Sequence, residues 1–264
     1  MVPKNSEVAV VLLTYNQDKF IKHSIESVLN QRFVKSFRLY IFDDHSTDST
    51  FEIAKEFKRK FPDKVELFKN TKNLGLARNF EKAVLYVKEK FIAYLEGDDY
   101  WTDNFKLQKQ FDFLKENPRF ILAFHDFVTI DAGNNLISDK NFFRKSIQKN
   151  RTQKEMVTGC LIHQNSMMFR NVVRIFPRGF FWAKNHDTFF IAYLSKWGEA
   201  AYISCSPLHY RIHTDSIWSS LLEKEKHWNG LLTYIMILFY VSPRYYGSVL
   251  WKIGSKIKSL FFPR

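Results

Sequence analysis

Val8-Ala9-Val10-Val11-Leu12-Leu13 is an apolar run with no polar interruption. It is too short for a stable helix, and no residue in it can face water without penalty. Such runs read as strands buried on both faces, which occur in parallel sheets covered by helices on either side. The following sequence supplies those helices. Phe20, Ile21, Ile25, Val28 and Leu29 recur at helical spacing, and Phe37 to Phe42 reads as a second strand. Phe51, Ala54, Phe57 and Phe61 mark a second helix, and Val65 to Phe68 a third strand. Ala77, Phe80, Val84 and Val87 mark a third helix, and Phe91 to Leu95 a fourth strand. Strand and helix in strict alternation imply βαβ units and an α/β fold with a mostly parallel central sheet.

In such sheets ligands bind beyond the carboxyl ends of the strands. Three polar clusters fall there: Thr14-Tyr15-Asn16, Asp43-Asp44-His45-Ser46-Thr47-Asp48, and Glu96-Gly97-Asp98-Asp99. The last is the most telling. Crowded carboxylates at the tip of an apolar strand repel one another and resist desolvation. A divalent cation removes that cost, because Mg²⁺ and Mn²⁺ prefer hard oxygen ligands and commonly take one or two carboxylates plus substrate phosphates.

The chain has 264 residues and a formal net charge of +13, which points to an anionic partner. Its two cysteines, Cys160 and Cys205, fit neither a zinc motif nor a disulfide framework, so a reducing cytoplasmic setting is expected. The first residues lack the apolar core of a signal peptide. The longest apolar run near the C-terminus, Leu231 to Val241, is shorter than the roughly 20 residues of a spanning helix and contains Thr233.

The second half is less regular. Leu107, Phe111 and Leu114 define a helix, and Phe120 to Ile130 and Cys160 to Phe169 read as strands. Residues 133–155 read as a polar loop. Phe189, Phe190, Tyr193, Leu194 and Trp197 form a helix stripe that begins near Asn185-His186-Asp187, with Gly198 as its C-terminal stop. Ala201 to Ser204 and Leu208 to Ile212 read as extended. From Lys226 onward there is no acidic residue, and Tyr246, Val249, Leu250, Ile253, Ile257 and Leu260 recur at helical spacing. A basic amphipathic segment of this kind suits an anionic membrane surface.

Taken in order, these motifs resemble the family 2 glycosyltransferases of bacterial surface-glycan type, with a GT-A nucleotide-sugar-binding fold. Val8 to Asn16 resembles the family's opening strand and its T-Y-N-type motif. Asp43 to Asp48 resembles its D-D-x-S-x-D segment. Asn73-Leu74-Gly75-Leu76-Ala77-Arg78-Asn79 resembles its N-x-G-x-x-x-A-R-N loop in shortened form. Glu96-Gly97-Asp98-Asp99 stands where the DxD element falls, with Glu96 in place of the first Asp. Asn185-His186-Asp187 occupies the region of the E-D element, with His186 in place of Glu. Tyr210-Arg211-Ile212-His213 resembles a downstream Y-R-x-H element.

The resemblance implies inverting, metal-dependent transfer from a nucleotide sugar, usually a UDP-sugar, by a hexosyl- or N-acetylhexosaminyl-transferase. The acceptor would be a glycan or a lipid-linked hydroxyl in surface polysaccharide or lipooligosaccharide synthesis. It implies Asp187 as general base. It implies Asp98 and Asp99, with His213, on Mn²⁺ or Mg²⁺. Thr14, Tyr15, Asn16, Asp44, Arg78, Asp98 and Arg211 would line the donor, Tyr15 stacking on the base and Asp44 accepting from its N–H. Residues 1–218 would form the transferase domain, split into a nucleotide half (7–103) and an acceptor half (104–218). Residues 219–264 would form a helical tail on the inner membrane face, and no nucleic-acid partner is expected. Trp182, Trp197 and Trp218 are candidates for stacking on sugars. Two other classes compete: a phospho-aspartyl or receiver-like Mg²⁺ enzyme, and a non-catalytic basic membrane-binding module. A dinucleotide dehydrogenase is disfavoured, since no G-x-G-x-x-G follows the first strand.

Overall fold

The computed structural model describes residues 6–139, 145, 147–213 and 221–261. The first half runs β1 (Val8–Thr14), α1 (Ile21–Leu29), β2 (Phe37–Asp43), α2 (Thr50–Lys60), β3 (Val65–Lys69), α3 (Leu76–Tyr86) and β4 (Phe91–Glu96). The second half runs α4 (Lys106–Glu116), β5 (Phe120–Phe124), β6 (Phe127–Ile130), β7 (Leu136–Ser138), α5 (Gln153–Thr158), β8 (Met168–Arg170), α6 (Arg178–Trp182), α7 (His186–Leu194), β9 (Glu199–Tyr202), β10 (Leu208–Arg211), α8 (Glu223–Leu238) and α9 (Tyr246–Phe261).

Seven strands form one sheet in the order β3-β2-β1-β4-β8-β5-β9, and β10-β6-β7 form a smaller one. Strands β1 to β4 are mutually parallel, and β8 runs antiparallel between β4 and β5. The period-2 pleat sorts β1 into two cores. Ala9, Val11 and Leu13 pack with residues of α3, α7 and α8, including Phe80, Phe190 and Ile237. Val8, Val10 and Leu12 pack with α1, α2 and α4, including Ile25, Ala54 and Phe111. Every residue of the opening run is buried. Phe80 meets Tyr94 and Phe190 edge-on at centroid separations of 5.2 and 4.9 Å, the favoured aromatic geometry.

Four readings of the second half change. The stretch Phe120 to Ile130 breaks at His125-Asp126, because β5 joins the large sheet while β6 crosses to the small one. Of Cys160 to Phe169, only Met168 and Phe169 are strand; a 3-10 turn at Gln164–Ser166 precedes them. The polar stretch 133–155 contains β7 and the start of α5. The Thr152–Glu155 capping box that opens α5 is legible as T-x-x-E. Gly198 is not the stop of α7, whose C-cap is Ser195. A Cβ at Gly198 would lie 2.4 Å from the Arg119 carbonyl, so glycine there lets two segments touch.

His125 lies at the break, and His163 lies partly buried before β8. His125 is buried and pairs through Nδ1 with the Asp126 carbonyl at 2.9 Å; burial pushes its pKa down to about 3. His163 packs against the Phe127 and Tyr210 rings, and burial pushes its pKa down to about 4. A neutral imidazole held this way stabilises the fold above its unfolded pKa near 6.5, and the contribution is lost as pH falls toward 4. Relative to wild type, His163→Phe is therefore expected to lose less thermal midpoint between pH 7 and pH 4.5. A saving of about 1 kcal/mol is read as roughly 2–4 °C in a chain of this size. Equal losses in both proteins, by circular-dichroism melting, contradict the assignment.

Helices α8 and α9 do not form a detached tail. Tyr234, Ile237, Val241 and Val249 belong to the same core as β1. α8 packs on α6 and α7, and α9 packs on α8 and α5.

Candidate active site

Register brings the three polar clusters together. Thr14 pairs with Asp43, and Leu13 with Glu96, so β1, β2 and β4 end at one level. Gly97 allows this closure: a Cβ there would meet Gln17 Oε1 at 2.6 Å and Thr14 Oγ1 at 2.8 Å. The Ser24 hydroxyl reaches the Gly97 and Asp99 carbonyls at 2.7 and 2.6 Å, fixing the tip from α1.

Around that tip the side chains divide into those left with free capacity and those used up inside the protein. Asp98 is of the first kind. Its Oδ2 lies 3.1 Å from His213 Nε2, while Oδ1 is buried and without a hydrogen-bond partner. A buried carboxylate oxygen with no donor is costly unless a ligand supplies one. Glu96 is pushed up to about 8, first by burial and then by the neighbouring Asp98 and Asp187 charges. Tyr94 donates to it at 3.0 Å. The charge of Asp187, in the first turn of α7, is felt at Glu96.

Asp187 is held so that its own Oδ1 accepts from the Thr188 amide at 2.6 Å. Burial raises its pKa above the usual carboxylate range. Its backbone approach is set from α8. The fully buried Thr233 hydroxyl accepts from the Lys184 and Asn185 amides at 3.2 and 2.9 Å and donates to the Asn229 carbonyl at 2.8 Å.

Asp99 and Arg211 correct the sequence reading. Asp99 is fully buried and turned inward, accepting from the Arg211 amide at 2.8 Å and from Asn165 Nδ2. Burial, then the Asp98 charge, lifts its pKa far above the carboxylate range. Arg211 is 2% exposed, and its guanidinium donates to the Asp98, Asp131 and Ala132 carbonyls and to Asn134 Oδ1. It ties β10 to the β6–β7 turn. Arg78, expected at the phosphate or ribose, pairs with Glu81 at 3.0 Å and stacks on Phe181, its guanidinium carbon 3.6 Å from the ring centroid.

The donor-side residues are partly bracing as well. Asp44 is buried; Oδ1 accepts from Asn70 and the Leu74 amide, and Oδ2 from the Gly75 amide at 2.8 Å. It thereby holds the turn that starts α3. Thr14 donates to Gln17 at 2.8 Å. Asn16 takes a left-handed φ of 50° and accepts from the Thr47 amide at 2.8 Å, joining the first two clusters. Tyr15 is 44% exposed and open to a planar ligand. Trp182 is exposed, Trp197 packs edge-on against Tyr193, and Trp218 lies outside the described residues.

Among the described residues no three carboxylate, imidazole or thiol side chains converge into a ready-made metal cage. Asp98 and His213 offer two ligands side by side, which suits a hard cation whose other ligands are phosphate and water. Sequence reasoning missed Asn165, Ser24 and Thr233. Only Thr233 left a sign, as a hydroxyl inside an apolar run.

The parallel sheet with an acidic tip at its carboxyl edge defines a GT-A fold, and solved structures agree. Staphylococcus aureus TarS 1-349 in complex with UDP superposes with a TM-score of 0.69 at 15% identity, over 98% of this chain and 73% of that one. Mannosyltransferase PcManGT from Pyrobaculum calidifontis, in complex with GDP-Man and Mn²⁺, superposes with a TM-score of 0.69 at 13% identity, over 98% and 75%. Residues 9–176 match the family described as Glycosyl transferase family 2. The chain belongs to that family. It is 28% identical over 228 residues to the Escherichia coli UDP-Glc:alpha-D-GlcNAc-diphosphoundecaprenol beta-1,3-glucosyltransferase WfgD, 85% of each chain. It is 26% identical over 229 residues to an uncharacterised Mycobacterium tuberculosis protein, covering 84% of this chain and 63% of the relative's length.

Proposed function

We propose that the chain transfers a sugar from a UDP-sugar, with inversion, to a hydroxyl of a lipid-linked acceptor in surface-glycan synthesis. The observation that carries this reading is the Asp98 carboxylate: one oxygen beside His213, the other buried and unpartnered. The near-full-length similarity to WfgD supports the donor and acceptor class. The solved UDP and UDP-GlcNAc complexes of TarS support the nucleotide.

The chain's own residues then take these parts. Tyr15 offers an exposed ring to the uracil, at the rim shaped by Asn16 and Thr14. Asp44 holds the adjacent turn and keeps acceptor capacity on its carboxylate toward a nucleobase N–H. Asp98 and His213 would hold Mn²⁺ or Mg²⁺, which neutralises charge on the departing diphosphate. Asp187 removes the proton from the acceptor hydroxyl as that oxygen attacks the anomeric carbon. Attack from the side of Asp187, away from the diphosphate, inverts the configuration. Residues 7–103 serve the donor, and residues 104–218 the acceptor. Arg78 and Phe181 together form a flat, charged shelf near the start of α3 that suits the outer donor rim.

A thermal-shift panel of UDP-, GDP- and dTDP-sugars with and without Mn²⁺ tests the proposal. UDP-sugars are expected to give the largest stabilisation, and only with the cation present. A GDP-sugar preference overturns the nucleotide; stabilisation indifferent to cation overturns the role of Asp98.

A further inference from the structure

Helix α9 turns the wrong side to water for a helix of a free-standing globular protein. Its inward side packs on α8 and α5, with Val249 and Ile253 against the core. Val249 is fully buried, and the Lys256 stem lies over Gly230 of α8. Tyr246, Leu250, Trp251, Ile257 and Phe261 are 41, 54, 72, 42 and 74% exposed. At 100° per residue they fall on one arc of the helix, with Gly254 among them, Trp251 at its edge and Lys258 between those two. Ser248, Lys252, Ser255 and Ser259 lie on the other side. The apolar arc runs the length of the helix, about 22 Å at 1.5 Å per residue. A contiguous apolar stripe of this size on a surface marks an interaction site.

We propose that α9 lies flat in the headgroup region of an anionic bilayer, with the Tyr246, Leu250, Trp251, Ile257 and Phe261 arc immersed. Charge identifies the occupant. Residues 226–264 contain Lys226, Arg244, Lys252, Lys256, Lys258 and Arg264 and not one carboxylate side chain. Lys258, within the arc, can keep its ammonium at the lipid phosphates while its stem lies along apolar surface, and the acid-free segment around it adds no repulsion. A tryptophan at the edge suits the same interface. No helix among the described residues is long and apolar enough to cross a membrane, so the contact is one of surface insertion.

The placement also has a consequence for the transferase. α9 packs on α8, and α8 holds the backbone before Asp187 through Thr233. A bilayer bound to α9 therefore stands at a fixed orientation to the base, where a lipid-linked hydroxyl arrives. This consequence rests on the proposed acceptor; the docking itself does not.

Flotation of the full chain with vesicles of phosphatidylcholine, alone or mixed with phosphatidylglycerol, tests the docking without any sugar substrate. Wild type is expected to float with the anionic vesicles, and less at high salt. The triple variant Leu250→Ser, Trp251→Ser, Ile257→Ser is expected to partition at least about tenfold less. Its thermal midpoint and its transfer to a water-soluble acceptor should stay at wild-type values, since the three side chains are exposed. Three outcomes overturn the proposal. Wild type does not float, or the triple variant floats equally well. The third is that wild type sediments as a dimer without vesicles and the triple variant as a monomer, which assigns the arc to a second copy of the chain.

Discussion

Replacing Asp187 by Asn is expected to abolish sugar transfer while leaving UDP-sugar binding nearly intact. The substitution is nearly isosteric, and the amide oxygen can still accept from the Thr188 amide that Asp187 Oδ1 now engages. The first turn of α7 therefore keeps its shape. What is lost is a proton acceptor, and general-base catalysis is worth about 10²–10⁴-fold. The pH profile gives a second readout. A base works only when deprotonated, and burial raises the Asp187 pKa, so kcat/KM should climb with pH through a limb lying above the usual carboxylate range. The variant should lose that limb along with its rate. Calorimetry with UDP and initial rates across pH check both. Wild-type turnover in Asp187→Asn means that another group takes the proton.

Asp98→Asn is expected to give opposite changes in activity and stability. Without the carboxylate charge, cation-dependent donor binding should collapse. Transfer should fall on the order of 10²–10³-fold, the scale for losing one electrostatic contact to a developing anion. The cation-free protein should nonetheless become more stable. Asp98 repels both Glu96, which stands pushed up to about 8, and the inward Asp99. Removing the charge relieves a strained cluster, the usual exchange of stability against activity at a working site. Melting in EDTA and cation titrations with UDP check the pair of effects. A variant that is both less active and less stable would make Asp98 a structural residue.

The bracing residues explain why motif reading alone distributes roles too generously. Asp98 and Asp99 are adjacent in sequence and identical in kind, yet one keeps an unpartnered oxygen beside His213 and the other is locked to Asn165 and the Arg211 amide. Arg211 reads as a donor-lining residue in the chain, but four of its five guanidinium N–H groups are spent on main-chain carbonyls and Asn134. Asp44 and Asn16 are likewise committed to holding loops. A sequence shows which groups can make a hydrogen bond; it does not show which partners the fold delivers first.

The alternation of apolar runs and helical stripes by itself determined the parallel sheet, because period 2 and period 3.6 are local properties of the chain. It also located the acids at strand ends, since a strand stops where burial of its side chains stops. The three-stranded sheet, the inward turn of Asp99 and the grip of Thr233 on the approach to Asp187 were decided only by tertiary structure. The contacts of β10 on β6, Arg211 on Asp99 and Asn185 on Thr233 join segments from about 48 to more than 100 residues apart, and no local periodicity encodes a contact made across that distance.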